Sequence, residues 1–184
     1  VKIRQKLGRN QPSEYDLGYL PEVTVVIAAY NEIECIAAKL QNCFSLYYPS
    51  ERLKFLFVTE GSTDGTTAYL ESQQSSQIKV LGGNSRSGKV EAINRAMQHV
   101  DSEIVVFTDA NTQLNKDALQ KIVRHFKDDR VGAVAGEKRV KDLSQTSTAG
   151  IGEGLYWKYE SFLKKLDTAL YSVVGAAGEL FAIR

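Results

Sequence analysis

No stretch of this 184-residue chain is long and apolar enough to suggest a bilayer span. The longest apolar run, 23–30, is interrupted by Thr24 and has the length of a buried strand, well short of the roughly 18 residues that a spanning helix needs. Prolines number only 3, no repeat or low-complexity tract occurs, and 43% apolar with 24% charged residues is ordinary globular composition, which excludes disorder and collagen. Excess charge is missing too: the formal +1 argues against a basic nucleic-acid binder, and no nucleic-acid partner is expected. There is no Asn-X-Ser/Thr acceptor and no signal-peptide pattern. The 2 cysteines, Cys35 and Cys43, lie in one helical pattern about 12 Å apart along its axis, too far for a disulfide. Free thiols suit a reducing compartment, so a cytoplasmic location is expected. Met97 is the single methionine and the chain opens at Val1, which reads as a processed product or a piece of a longer protein.

A chain of this length buries roughly 70% of its unfolded surface on folding, enough for one core without disulfides or a structural metal. Residues 1–20 are polar and aperiodic and read as a linker. Lys2, Arg4, Lys6 and Arg9 stand in it without an acid among the first nine residues, so the remainder is net acidic. Such a basic lead is either a solvated terminus or a segment lying beside an anionic membrane surface.

From Pro21 onward, short β-branched runs alternate with helical patterns. Strands are predicted over 23–28, 54–58, 78–81, 103–108 and 131–135, and helices over 32–46, 66–73, 89–99 and 115–126. That alternation calls for crossover connections and an α/β fold, a mainly parallel central sheet covered by helices on both faces. Residues 138–151 form a polar, Ser/Thr-rich stretch expected to be a loop. The segment 153–166 reads as a helix whose aromatic rings, Tyr156, Trp157, Tyr159 and Phe162, serve either the core or a surface meeting sugar, lipid or membrane. Residues 173–184 give a glycine-bracketed turn and then a short apolar strand.

Ligands of open parallel sheets bind beyond the carboxyl ends of the strands, so the chemistry is sought there. Asp64, in Ser-Thr-Asp-Gly-Thr-Thr, has the simple role of capping the following helix. Glu60 is either a solvated strand-end acid or an acceptor for base or ribose donors. Arg86 and Lys89 enter a helix N-terminus, where cations beside free backbone N–H groups suit phosphate. Asp109-Ala-Asn111 at a strand end places two oxygen-bearing side chains in one turn, suited to a divalent cation whose remaining ligands come from phosphate. Residues 83–89 also fit G-x-x-x-x-G-K, the opening of a P-loop, but Val90 stands where a hydroxyl must hold magnesium. A P-loop-like NTPase is the minor alternative.

Taken in order, these blocks resemble the family 2 glycosyltransferases, which include cellulose and hyaluronan synthases and have the nucleotide-sugar-binding GT-A fold. The likeness runs over about 21–184. Residues 21–32, ending Tyr30-Asn31-Glu32, are similar to the family's opening strand and its turn beside the uridine. Val58-Thr-Glu60-Gly-Ser-Thr-Asp64-Gly-Thr resembles VDDGSTDGT, with Glu60 in place of the base-reading Asp. Residues 86–96 resemble RxGKxxAxNxA, Asp109-Ala-Asn111 the metal-binding D-x-D with Asn in place of the second acid, and residues 175–184 the acceptor-side GAxGxxxAxR turn. The resemblance implies nucleotide contacts from Ala28, Tyr30, Glu32, Glu60, Arg86, Lys89 and Asp109. It also implies a Mn²⁺ or Mg²⁺ site at Asp109 and Asn111, and an acceptor side at Gly178 and Glu179.

The implied activity is inverting transfer from a nucleotide-diphosphate sugar, a UDP-sugar ahead of a GDP- or dTDP-sugar, to a polysaccharide or lipid. The parent would be an integral membrane protein acting at the cytoplasmic face of the cell membrane, with 1–20 as a linker near the bilayer and 21–184 as a GT-A domain short of its C-terminal part. The family's catalytic base belongs to a motif beyond the glycine-bracketed turn, after Arg184, and Glu153, Glu160 and Asp167 do not take its place. The catalytic residue therefore stays unassigned, and a nucleotide-binding module that performs no transfer is the second expectation.

Overall fold

The computed structural model describes residues 18–136 and 180–184. Strand β1 (Val23–Ala29) leads to helix α1 (Ile33–Phe44), β2 (Leu53–Glu60), α2 (Thr66–Glu71), β3 (Ile78–Gly83) and α3 (Lys89–Met97). Then come β4 (Ile104–Asp109), α4 (Ala118–Val123), β5 (Ala133–Ala135) and β6 (Leu180–Ile183). The expected loop 138–151, the aromatic segment 153–166, Gly178 and Glu179, and the basic lead all lie outside the described residues.

The six strands form one sheet in the order β3-β2-β1-β4-β6-β5. β3, β2, β1 and β4 are mutually parallel, whereas β6 runs antiparallel to both β4 and β5. Chain order reverses at β1, with β2 on one side and β4 on the other, which opens a crevice at the carboxyl ends of these strands.

Both faces of the sheet are covered, as an alternating pattern with few exposed positions requires. Along β1, Val23, Val25 and Ile27 face one cluster with α1, α4 and Leu70 of α2, and Val26 faces the other with Ala92 and Ala96 of α3. The small side chains of α3 let it lie close on Leu56, Val58, Val105 and Phe107. Phe107 and Phe181 stack across β4 and β6 with ring centroids 4.5 Å apart.

Several predicted boundaries shift for identifiable reasons. The helix predicted over 115–126 holds α geometry only for 118–123 and tightens into a 3₁₀ turn over 124–127, as helix ends often do. The strand predicted from 131 begins at Ala133 because Val131 closes a turn onto the Asp128 carbonyl. The last three residues of the expected linker are held to the domain: the Tyr19 hydroxyl donates to Glu103 (2.6 Å) and Arg52 to the Leu20 carbonyl (2.6 Å).

Candidate functional site

A cavity of about 260 Å³ lies at the reversal point, lined by residues from three strand ends and from the segment that opens α3. Ala28, Tyr30 and Glu32 come from the β1 end, Glu60 from β2, Arg86 and Lys89 from the α3 entry, and Asp109 and Asn111 from β4. All the nucleotide- and metal-site residues expected from the sequence thus meet in one place. The register explains part of this, since Ala28 pairs with Val58 on one side and with Asp109 on the other.

The turn after β1 depends on Asn31, whose φ of 54° is a conformation that Asn tolerates better than most residues. Its side-chain oxygen accepts from Thr63 N (2.8 Å), and its own N–H donates to Ser62 Oγ (3.2 Å). Glu32 N–H donates to Thr66 Oγ1 (2.9 Å) and Ile33 N–H to Asp64 Oδ2 (3.0 Å). Asp64 Oδ1 meanwhile accepts from both Thr66 N (2.9 Å) and Thr66 Oγ1 (2.6 Å). Asp64 is therefore a cap, as its sequence context suggests, but for two helix starts at once. The Thr66 hydroxyl bond is the main cause holding its carboxyl below the usual range. Glu32 accepts from the Cys35 thiol at 3.0 Å, and burial followed by this bond pushes that thiol up to about 11.

Glu60 is 7% exposed at the end of β2. One of its oxygens accepts from Ser87 N (3.2 Å) and the other faces Arg95 Nε at 3.5 Å. Arg95 was not singled out in the sequence, yet it donates to the Gly82 (3.1 Å), Leu81 (2.9 Å) and Thr59 (3.4 Å) carbonyls, closing the ends of β2 and β3 around Glu60. Gly61 is needed beside it on two counts: its φ is +65°, and a Cβ there would stand 3.0 Å from Arg86 N. The loop between β3 and α3 lays the Arg86 guanidinium over the Tyr30 ring, 4.3 Å from its centroid.

Asp109 meets Lys89 across the cavity, Nζ to Oδ1 at 2.5 Å. Lys89 is the first residue of α3, whose opening N–H groups have no intrahelical partners. Asp109 and Asn111 supply one carboxylate and one amide oxygen, the hard donors that Mg²⁺ or Mn²⁺ take. Among the described residues no group of three or more His, Cys, Asp or Glu could hold a metal. A divalent cation held by these two side chains would need its remaining oxygen ligands from elsewhere, as phosphate could supply. The P-loop spacing at 83–89 has a different meaning here: Gly83 is a strand residue paired with Glu60, and Val90 is 74% exposed without a hydroxyl to offer.

Two further residues were missed. Lys39 is 0% exposed on the apolar face of α1, with Ile36, Leu40 and Cys43, and Asn42 lies a turn further on. The available signal was the break that Lys39 makes in an otherwise apolar stripe.

On fold and crevice together the chain is an α/β domain of the GT-A kind. Comparison with known proteins narrows this: the family model described as Glycosyl transferase family 2 matches residues 24–183, and the chain belongs to that family. It is 34% identical over 124 residues to beta-monoglucosyldiacylglycerol synthase of Synechocystis sp., covering 65% of this chain and 26% of the relative. It is 28% identical over 145 residues to poly-beta-1,6-N-acetyl-D-glucosamine synthase of Staphylococcus aureus, covering 78% and 34%. The chain thus spans about a third or less of these relatives' length.

Among solved structures, the mannosyltransferase PcManGT from Pyrobaculum calidifontis, in complex with GDP-Man and Mn²⁺, matches with TM-score 0.75 and 30% identity over 90% of this chain and 45% of that one. S. aureus TarS 1–349 in complex with UDP-GlcNAc matches in fold, with TM-score 0.60 and 19% identity over 69% and 37%. No helix among the described residues is long and apolar enough to cross a membrane.

Proposed function

We propose that this domain binds a nucleotide-diphosphate sugar together with a divalent cation and presents the sugar for inverting transfer to a polysaccharide or lipid acceptor. The carrying observation is the convergence of Glu60, Arg86, Lys89 and Asp109 on one crevice at the strand-order reversal of a family 2 domain. Tyr30 and Glu60 form the nucleoside end. Tyr30 offers a ring face and Glu60 an acceptor for base or ribose donors. Arg86, Lys89 and the first N–H groups of α3 form the diphosphate end, where they bind phosphate oxygens and stabilise the charge that develops on the leaving diphosphate.

Asp109 and Asn111 would hold the cation, and when bound it would bridge phosphate oxygens and offset their charge. Acceptor contacts from Gly178 and Glu179 belong to the same reading. So does action by a membrane-associated parent at the cytoplasmic face of the membrane; the relatives named for lipid-linked and polysaccharide products support the acceptor class.

UDP-sugar is the preferred donor and GDP-sugar the second reading, the latter favoured by the 30% identical neighbour bound to GDP-Man. Isothermal titration of UDP, GDP and dTDP with and without Mn²⁺ tests the proposal. Metal-dependent binding of UDP supports its donor-binding part, and tighter GDP binding selects the second donor. A folded sample that binds none of the three contradicts it.

A further inference from the structure

Lys39 lies at the centre of α1 on a face that otherwise buries Ile36, Leu40 and Cys43 against the sheet. An ammonium withdrawn from water is costly unless it is fully partnered, and a Leu or Met at the same position would continue the apolar stripe. Its partners lie on either side of the cation-site segment. Nζ donates to Thr108 Oγ1 (3.2 Å), immediately before Asp109, and to the Thr112 carbonyl (2.6 Å), immediately after Asn111. Thr112 N in turn closes onto the Asp109 carbonyl at 3.2 Å, so the ammonium spans both ends of a single turn.

A turn further along α1, Asn42 repeats the pattern. Its Nδ2 donates to the Leu114 carbonyl and its Oδ1 accepts from Leu114 N, both at 2.8 Å. Burial lowers the Lys39 ammonium to about 8, partly offset by nearby Asp109.

We infer that Lys39 is a positioning residue for the cation site, fixing the curvature of the 108–112 turn from below so that Asp109 and Asn111 present their oxygens to the crevice. This rests on the nucleotide-sugar reading of that crevice. Lys39 touches neither nucleotide nor metal; it acts through the turn it holds.

The test is a comparison of Lys39→Met with the wild-type chain, measuring Mn²⁺ affinity in the presence of saturating UDP or GDP, nucleotide affinity in EDTA, and unfolding in urea. The expected result is a loss of about 10-fold or more in Mn²⁺ affinity with nucleotide affinity in EDTA little changed, a split that general destabilisation does not produce. Thr108→Val keeps the volume and removes one partner, and it should weaken Mn²⁺ by about 2- to 5-fold even if Lys39→Met does not fold. Unchanged Mn²⁺ affinity in a folded Lys39→Met, or in Thr108→Val where Lys39→Met fails to fold, overturns the role of Lys39. Wild-type chain that binds neither nucleotide with Mn²⁺ overturns both this role and the proposed function beneath it.

Discussion

The nucleoside end of the crevice and its diphosphate end are held by different kinds of bond. At the nucleoside end, the backbone N–H groups of Asn31, Glu32 and Ile33 donate to the side chains of Ser62, Thr66 and Asp64, and the Asn31 side chain accepts one bond back from Thr63 N. At the diphosphate end, the upper contact is one ion pair, Lys89 to Asp109, between side chains 50% and 28% exposed. An exposed pair of that kind contributes about 1 kcal/mol or less, and a stronger counter-charge readily exchanges for it. On the proposed function, the nucleoside end is formed in advance, whereas the diphosphate end carries its own counter-ion, which a metal-bound diphosphate would displace. Beneath that exchangeable pair the segment is fixed, because Lys39 and Asn42 hold it from the core side.

The largest effect that would expose this contrast is expected from Asp109→Ala, which removes the one carboxylate of the cation site. Mn²⁺-dependent nucleotide binding should fall by about 100-fold or more by calorimetry, while thermal stability changes little because the lost pair is exposed. Thr66→Val acts on the other end. It keeps the volume at a fully buried position but strips the acceptor for Glu32 N and a donor to Asp64, so stability measured in urea should fall by about 1–3 kcal/mol. Nucleotide affinity in EDTA should fall with it.

Lys89→Met separates metal from nucleotide. Mn²⁺ alone should bind about 2- to 5-fold more tightly, since the competing ammonium is gone, while nucleotide diphosphate binds less tightly; both are read by titration. The smallest effect concerns acid. Asp64 has a depressed folded carboxyl, so its contribution is present above the unfolded value near 3.8 and is lost as pH falls through the lower folded one. Asp64→Asn should flatten that acid limb in a pH series of urea midpoints, and an unchanged limb would show that the two-helix cap adds nothing.

How much of this was legible in the sequence depends on the kind of signal. The β-branched runs and their helical spacers called for a mainly parallel sheet, because period and length are local properties, but not for its strand order. The antiparallel direction of β6 was not legible: nothing in Leu180–Ile183 states which way it runs beside β4. Glu60, Arg86, Lys89 and Asp109 were legible because they stand at strand ends and helix starts, where polar residues are not required by packing. Arg95 and Lys39 were not, since each lies within a helix and acts on backbone carbonyls of other elements, Arg95 on β2 and β3 and Lys39 on the turn after β4. Asp64 was half legible, its cap on Thr66 being local and its cap on Ile33 tertiary.

The central claim, that Asp109 and Asn111 hold a cation jointly with a nucleotide diphosphate, is tested most directly by electron-nuclear double resonance on Mn²⁺ with the chain and UDP or GDP. The account predicts a protein-bound Mn²⁺ species with ³¹P coupling from directly bound phosphate in the wild-type complex, and in Asp109→Ala only the signal of the free Mn²⁺–nucleotide complex. An identical protein-bound ³¹P-coupled Mn²⁺ signal in Asp109→Ala would contradict it.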